Sequence, residues 1–151
     1  LYLGIVGPGK GHFNCLKDAA RDRERMEHVE KVAHSVRLTD RLETLAGDLS
    51  HGERRQLEIG LAIAWQPKFV MLDEPAAGLS PDERKVLKGL LNELPRDITL
   101  LLIEHDMDVA LSVSERVTVL HEGSVVAEGS ADEITANRMV QKIYLGGNLD
   151  E

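Results

Sequence analysis

Residues 49–83 read LSHGERRQLEIGLAIAWQPKFVMLDEPAAGLSPDE. Inside this stretch the apolar run Phe69-Val70-Met71-Leu72 ends in Asp73-Glu74-Pro75, and downstream a second run, Leu100 to Ile103, ends in Glu104-His105-Asp106. Short apolar runs bounded by polar residues predict strands buried on both faces, as in a parallel sheet covered by helices. Ligands of such sheets bind outside the carboxyl ends of the strands, where Asp73, Glu74 and His105 all fall. Two carboxylates and an imidazole there suit a metal-bound phosphate: one carboxylate toward Mg²⁺, one toward an attacking water, the imidazole toward the terminal phosphoryl group. An isolated Asp-Glu more often caps a loop or the following helix. The company of Ser50-His51-Gly52-Glu53, the turn Ala77 to Asp82 and His105 favours the phosphate reading.

Working outward, Ser50 stands where an N-cap belongs and Glu53 completes a capping box. The helix it opens is predicted to run to about Trp65, with Leu57, Leu61 and Ala64 on one side, and Gln66-Pro67 stops it. Pro81 fits the first turn of the next helix, whose apolar stripe is Val86, Leu87, Leu90, Leu91 and Leu94 and whose end is Pro95. Then follow a strand from Thr99 to Ile103, a helix from Asp106 to about Val113, and two strands, Arg116 to Leu120 and Ser124 to Ala127, joined at Glu122-Gly123. Two helices, near Ala131 to Ala136 and Met139 to Tyr144, close the chain. Upstream, Tyr2 to Val6 reads as a strand entering Gly7-Pro8-Gly9-Lys10-Gly11. Asn14 to about Val36 is predicted as an amphipathic helix with Met26, Val29, Val32, Ala33 and Val36 on one face, followed by a connector from Leu38 to Leu49 with a short helical piece.

The 151 residues fit one domain. A formal charge of −8, with 26 acidic against 18 basic residues, argues against nucleic acid as the main partner. No apolar run approaches the roughly 18 to 20 residues that span a bilayer, so membrane association is expected through a partner protein. Cys15 is the only cysteine, which excludes an internal disulfide and suits a reducing compartment. No signal peptide is expected, and a chain that starts at Leu1 is expected to be a fragment. His12, His28, His34, His51 and His121 show no metal-ligand spacing.

Ser50-His51-Gly52-Glu53 resembles the signature motif of ABC transporter ATPases, with Glu53 where glutamine is more usual. Val70 to Glu74 resembles Walker B, Ala77 to Asp82 the D-loop, and His105 the switch histidine. Arg54 to Gly60, Asp73 to Leu79 and Ile103 to Met107 resemble the branched-chain amino-acid importer branch in particular. So does the tail, Val126 to Ser130 with Asp132-Glu133-Ile134 and Tyr144-Leu145-Gly146, which urea importers share. The resemblance runs from Asp48 to Gly147, about two thirds of the chain. It implies an α/β P-loop NTPase fold and a head-to-tail pair of ATPase subunits that sandwich ATP and drive membrane permease subunits from the cytoplasmic face. It further implies that Asp73 holds Mg²⁺, Glu74 is the general base, and His105 contacts the γ-phosphate. Ser50 and Gly52 would serve the partner's nucleotide, with free N–H groups at the helix start as the phosphate site. Ser80 would touch the opposite subunit. Without that company, Ser50 would be an ordinary N-cap and His105 a satisfied histidine.

Residues 1–48 depart from the family pattern, residues 49–121 carry the motifs, and residues 122–151 form the C-terminal extension. Gly4 to Lys10 fits G-x-x-x-x-G-K, so Gly9, Lys10 and Gly11 are expected at the nucleotide, but Gly11 stands where a Ser or Thr hydroxyl would bind Mg²⁺. Measured from Phe13-Asn14-Cys15-Leu16, which resembles the start of the following helix, the loop is about four residues short and offers fewer N–H groups. Ser50 follows Lys10 by only 40 positions, a span in which the family places further strands, a Q-loop and most of a helical subdomain. Lys10 is thus either a phosphate contact or a solvated loop lysine. The chain reads as a gene fragment, an internally deleted copy, or a functional remnant that lends its signature face to a complete partner. The expectation is an ATP- and Mg²⁺-dependent transport ATPase subunit, impaired in this chain. The alternative is a non-catalytic interaction module.

Overall fold

The computed structural model describes residues 23–144, the side chain of Glu24 excepted. The strand expected over Tyr2 to Val6, the glycine-rich Gly7 to Gly11 and the start of the helix expected from Asn14 lie outside the described residues, as does everything after Tyr144. Helix α1, Arg23–Ser35, is the described part of the predicted amphipathic helix. Two 3-10 turns, Thr39–Arg41 and Ala46–Asp48, fill the connector. Helix α2 is His51–Ile63 and strand β1 is Phe69–Asp73. Helix α3, Pro81–Asn92, leads to strand β2, Thr99–Ile103, and helix α4, Met107–Val113. Strands β3, Val117–His121, and β4, Ser124–Gly129, precede helices α5, Ala131–Ala136, and α6, Arg138–Tyr144.

Helix α2 stops two residues before the predicted Trp65, because Gln66 takes a left-handed backbone (φ 49°) before Pro67 and turns the chain into β1. β1 and β2 pair in parallel, with Val70 opposite Leu100 and Asp73 opposite Ile103, so the residues that follow each strand emerge side by side. Side chains alternate between the faces of a strand. On one face Val70 joins Ile59 and Ile63 of α2, Leu87, Leu90 and Leu91 of α3 and Val109 of α4, with Leu72 and Leu100 packed against them. This is the main core. A smaller cluster, Val29, Val32 and Ala64, seats α1 on the end of α2, and His28 Nε2 lies 2.6 Å from Ala64 O.

The expectation that both strands are buried on both faces is not met. Phe69, Met71, Leu101 and Ile103, on the other face, are 54, 58, 45 and 47% exposed, whereas Val70 is 5% exposed. The reason is layering: α2, α3 and α4 all contribute to the cluster on the Val70 side, and none of the apolar clusters among the described residues includes the other four side chains.

β3 and β4 form an antiparallel hairpin around Glu122 (φ 46°) and Gly123 (φ 76°), the two left-handed positions that a two-residue turn needs. Its register slips between Val119 and Leu120, a bulge. Val119 packs with Ile134 of α5 and Val140 of α6, and the Tyr144 hydroxyl donates to Leu120 O at 2.6 Å.

Candidate functional site

Parallel pairing delivers Asp73, Glu74 and His105 to one end of the sheet, as the apolar runs predict. His105 Nδ1 lies 3.4 Å from Glu74 Oε1, with both side chains more than half exposed. Asp73 is also exposed. Glu74 sits in the left-handed region at φ 44°, which a residue with a Cβ adopts only when its surroundings hold it there. Three hydrogen bonds do so: Glu74 N donates to Ile103 O at 2.8 Å, Ala77 N donates to Glu74 O at 3.1 Å, and Arg55 Nη2 reaches the same oxygen at 3.4 Å. Ala76 N donates to Glu104 Oε1 at 2.7 Å, tying the turn after Glu74 to the end of β2. The carboxylate beside His105 is therefore presented by a fixed backbone.

The second cluster is the start of α2. Ser50 Oγ accepts from Glu53 N at 3.2 Å and Glu53 Oε2 accepts from Ser50 N at 2.8 Å, the predicted capping box. Ser80 and Glu83 repeat the device at α3. The two turns touch. Glu83 Oε1 accepts from Gly52 N at 3.0 Å, and His51 Nε2 lies 3.2 Å from Ala77 O. A Cβ on Gly52 would come within 2.6 Å of Glu83 Oε1, so any larger residue there would have to push the Glu83 side chain aside. Arg41, Ser50, Glu53, Arg55 and Glu83 line an open cleft of about 360 Å³ here.

The sequence reading of free N–H groups at this helix start needs correcting. Gly52 N–H already has the Glu83 carboxylate as acceptor, and Glu53 N–H has the Ser50 hydroxyl oxygen. Ser50 itself is exposed, but a phosphate takes over the Gly52 N–H only by displacing Glu83. The carboxyl of Glu83 is held below its ordinary range by the Ser80 N–H, then by the Ser80 hydroxyl and the Gly52 N–H. Glu53 is lowered likewise by the Ser50 N–H and by Arg41, whose Nε lies 2.6 Å away. Hydrogen bonds to an ionised carboxylate favour that form.

Gly9, Lys10 and Gly11 lie outside the described residues. Of the other expected site residues, Glu74, His105 and Asp73 come together at the strand ends, while Gly52 and Ser80 meet through Glu83 and Ser50 caps the helix start that holds Gly52. Sequence reasoning passed over Glu83; its signal was the Ser-x-x-Glu spacing from Ser80.

Comparison with known proteins joins these pieces. The ABC transporter family profile matches residues 7–77, which takes in the glycine-rich stretch, the Ser50 turn and the Asp73-Glu74 strand end. The high-affinity branched-chain amino acid transport ATP-binding protein BraF of Pseudomonas aeruginosa is 41% identical over 127 residues, covering 83% of this chain and 50% of that protein. This chain belongs to the ABC transporter ATPase family. The solved ADP conformation of MJ1267, an ATP-binding cassette of an ABC transporter, overlays with a TM-score of 0.76 at 30% identity, covering 97% of this chain and 61% of that one. The lipopolysaccharide export system ATP-binding protein LptB of Acidithiobacillus ferridurans is 38% identical over 124 residues, covering 82% of this chain and 52% of that protein. The ABC ATPase chain thus spans roughly half the length of the curated relatives it matches. Its α/β architecture is that of the P-loop NTPase domain.

Proposed function

We propose that this chain is the ATP-binding subunit of an importer for branched-chain amino acids or similar solutes, with its Walker B and switch end intact and its phosphate loop impaired. The observation that carries the reading is the Glu74–His105 approach of 3.4 Å, on a backbone held in a left-handed conformation beside Asp73. In this reading Glu74 accepts a proton from the attacking water, and His105 orients toward the terminal phosphoryl group and toward Glu74. Exposed Asp73 and Glu74 offer hard carboxylate oxygens, a donor set that fits Mg²⁺, which keeps several waters and takes one or two carboxylates. Asp73 would hold the ion, whose charge neutralises the phosphates.

BraF is named for branched-chain amino acid transport, and the tail motifs support the same solute class for this chain. The partners in this reading are a second ATPase subunit and transmembrane permease subunits. They would place the chain on the cytoplasmic face of the membrane; among the described residues no helix is long and apolar enough to cross one.

A second reading has its own support. The Ser50 turn is capped and open to solvent, so the chain can lend a signature face to a complete ATPase without hydrolysing nucleotide itself. Hydrolysis by a mixed complex with a complete subunit separates the two. In the catalytic reading Glu74→Gln lowers kcat at the site this chain supplies by on the order of 10²-fold or more. A rate untouched by Glu74→Gln and reduced by Ser50→Ala would remove Glu74 from the mechanism and leave the lending role.

A further inference from the structure

The contact between the two capped turns is made by one carboxylate with two jobs. Glu83 Oε2 accepts from Ser80 N at 2.8 Å and from Ser80 Oγ at 2.7 Å, which closes the cap of its own helix. Its other oxygen crosses 31 positions of sequence to Gly52 N at 3.0 Å. In the related boxes the carboxylate makes no hydrogen bond to another helix start among the described residues: Glu133 Oε2 serves Ser130, and Glu53 Oε2 serves Ser50 while its Oε1 pairs with Arg41. Capping α3 explains Oε2 but not Oε1. Gly52 is buried, and the space that a Cβ would fill is taken by Glu83 Oε1, Cγ and Cδ at 2.6 to 2.9 Å, so the first turn of α2 is shaped around this side chain. Near the carboxylate stand His51 of the α2 turn, itself 3.2 Å from Ala77 O, and the charged groups of Arg41, Glu53 and Arg55 along the same cleft.

We propose that Glu83 is a positioning residue that locks the signature turn to the D-loop turn, so that Ser50, Gly52 and Ser80 are presented as one rigid unit to an opposing subunit. The purpose of the lock rests on the nucleotide-sandwich reading above; the lock itself does not. A Cβ at position 52 would have to displace the locking carboxylate. His51 provides a second, weaker tie between the same two turns.

The test uses the ¹⁵N-labelled 151-residue chain without nucleotide, so a failure of ATP binding leaves it untouched. On titration from neutral to acid pH, the Gly52 and Ser80 amide protons should shift with one shared midpoint, below the ordinary glutamate value of about 4.3. Glu83→Gln should remove that midpoint from both resonances, whereas Glu133→Gln, which removes the acid of the α5 box, should leave it. Gly52→Ala should abolish the Gly52 response and spare that of Ser80. At neutral pH, where acid unfolding cannot intervene, Glu83→Ala should speed hydrogen exchange at Gly52 by on the order of tenfold or more, while core amides of Ile59 and Leu90 keep their protection. A Gly52 amide that ignores the Ser80 midpoint, a midpoint that survives Glu83→Gln, or unchanged Gly52 exchange in Glu83→Ala would each overturn the lock and leave Glu83 as the cap of α3 alone.

Discussion

The two faces of the β1–β2 pair differ sharply although they alternate along the same ten residues. On one, Val70 is 5% exposed beneath α2, α3 and α4, and Leu90, at 0%, sits in the middle of the cluster. On the other, Phe69, Met71, Leu101 and Ile103 are about half exposed, and no apolar cluster among the described residues takes them in. Two of the helices that build the covered face, α2 and α3, start at the signature turn and the D-loop turn, and the third, α4, starts just after His105. The covered face therefore holds the described part of the domain together, and it is also what fixes Glu74, Ser50 and Gly52 in place. The parallel pair needs no second layer to bring Asp73 and His105 to the same end.

Substitutions can break this contrast. Leu90→Ala removes a fully buried side chain from the covered face and should cost about 2 to 5 kcal/mol in urea denaturation. A cost below about 1 kcal/mol would mean that the cluster is not the stabilising core. Ser50→Ala deletes an N-cap at the rim of the same face and should cost about 0.5 to 2 kcal/mol. On the open face Met71→Ser should change stability by no more than about 0.5 kcal/mol. It should instead reduce binding of a hydrophobic dye, since it takes apolar area from an exposed patch. A loss comparable to that of Leu90→Ala would show that the patch is covered in solution.

Acid sharpens the contrast at the helix starts. Glu53, Glu83 and Glu133 are hydrogen-bonded through their ionised carboxylates, which lowers their pKa in the folded chain. A depressed folded pKa contributes stability above the unfolded value, and that contribution is lost as pH falls through the folded one. The urea midpoint should thus hold from neutral pH to about 5 and decline below the unfolded glutamate value of about 4.3. The double variant Glu53→Gln/Glu83→Gln should decline less steeply over that window. An equal decline would place the acid sensitivity elsewhere.

Much of this was legible in the sequence because its signals are local. Ser50 and Glu53, Pro81, Pro95 and Glu122-Gly123 mark where elements start and turn, and Thr99 to Ile103 is a strand with the bounds expected of it. The meeting of Asp73, Glu74 and His105 was legible too, since two parallel strands ending in polar triplets bring those triplets together. The open face was not legible. Met71 and Val70 are both apolar, and which of them is covered depends on where distant helices pack. Nor was the carboxylate on Gly52, because a contact across 31 positions leaves no spacing to read. The left-handed backbone at Glu74 was hidden for a related reason: Ile103 and Arg55, remote in sequence, hold it there.

Calorimetric titration of the chain with Mg-ATP, beside Lys10→Ala, tests the central claim most directly, because all assigned roles at Asp73, Glu74 and His105 require nucleotide at the strand ends. The account predicts weak, saturable binding with a Kd of about 1 mM or below that is lost in Lys10→Ala. Absence of binding at several millimolar ATP, or binding indifferent to Lys10, would contradict it.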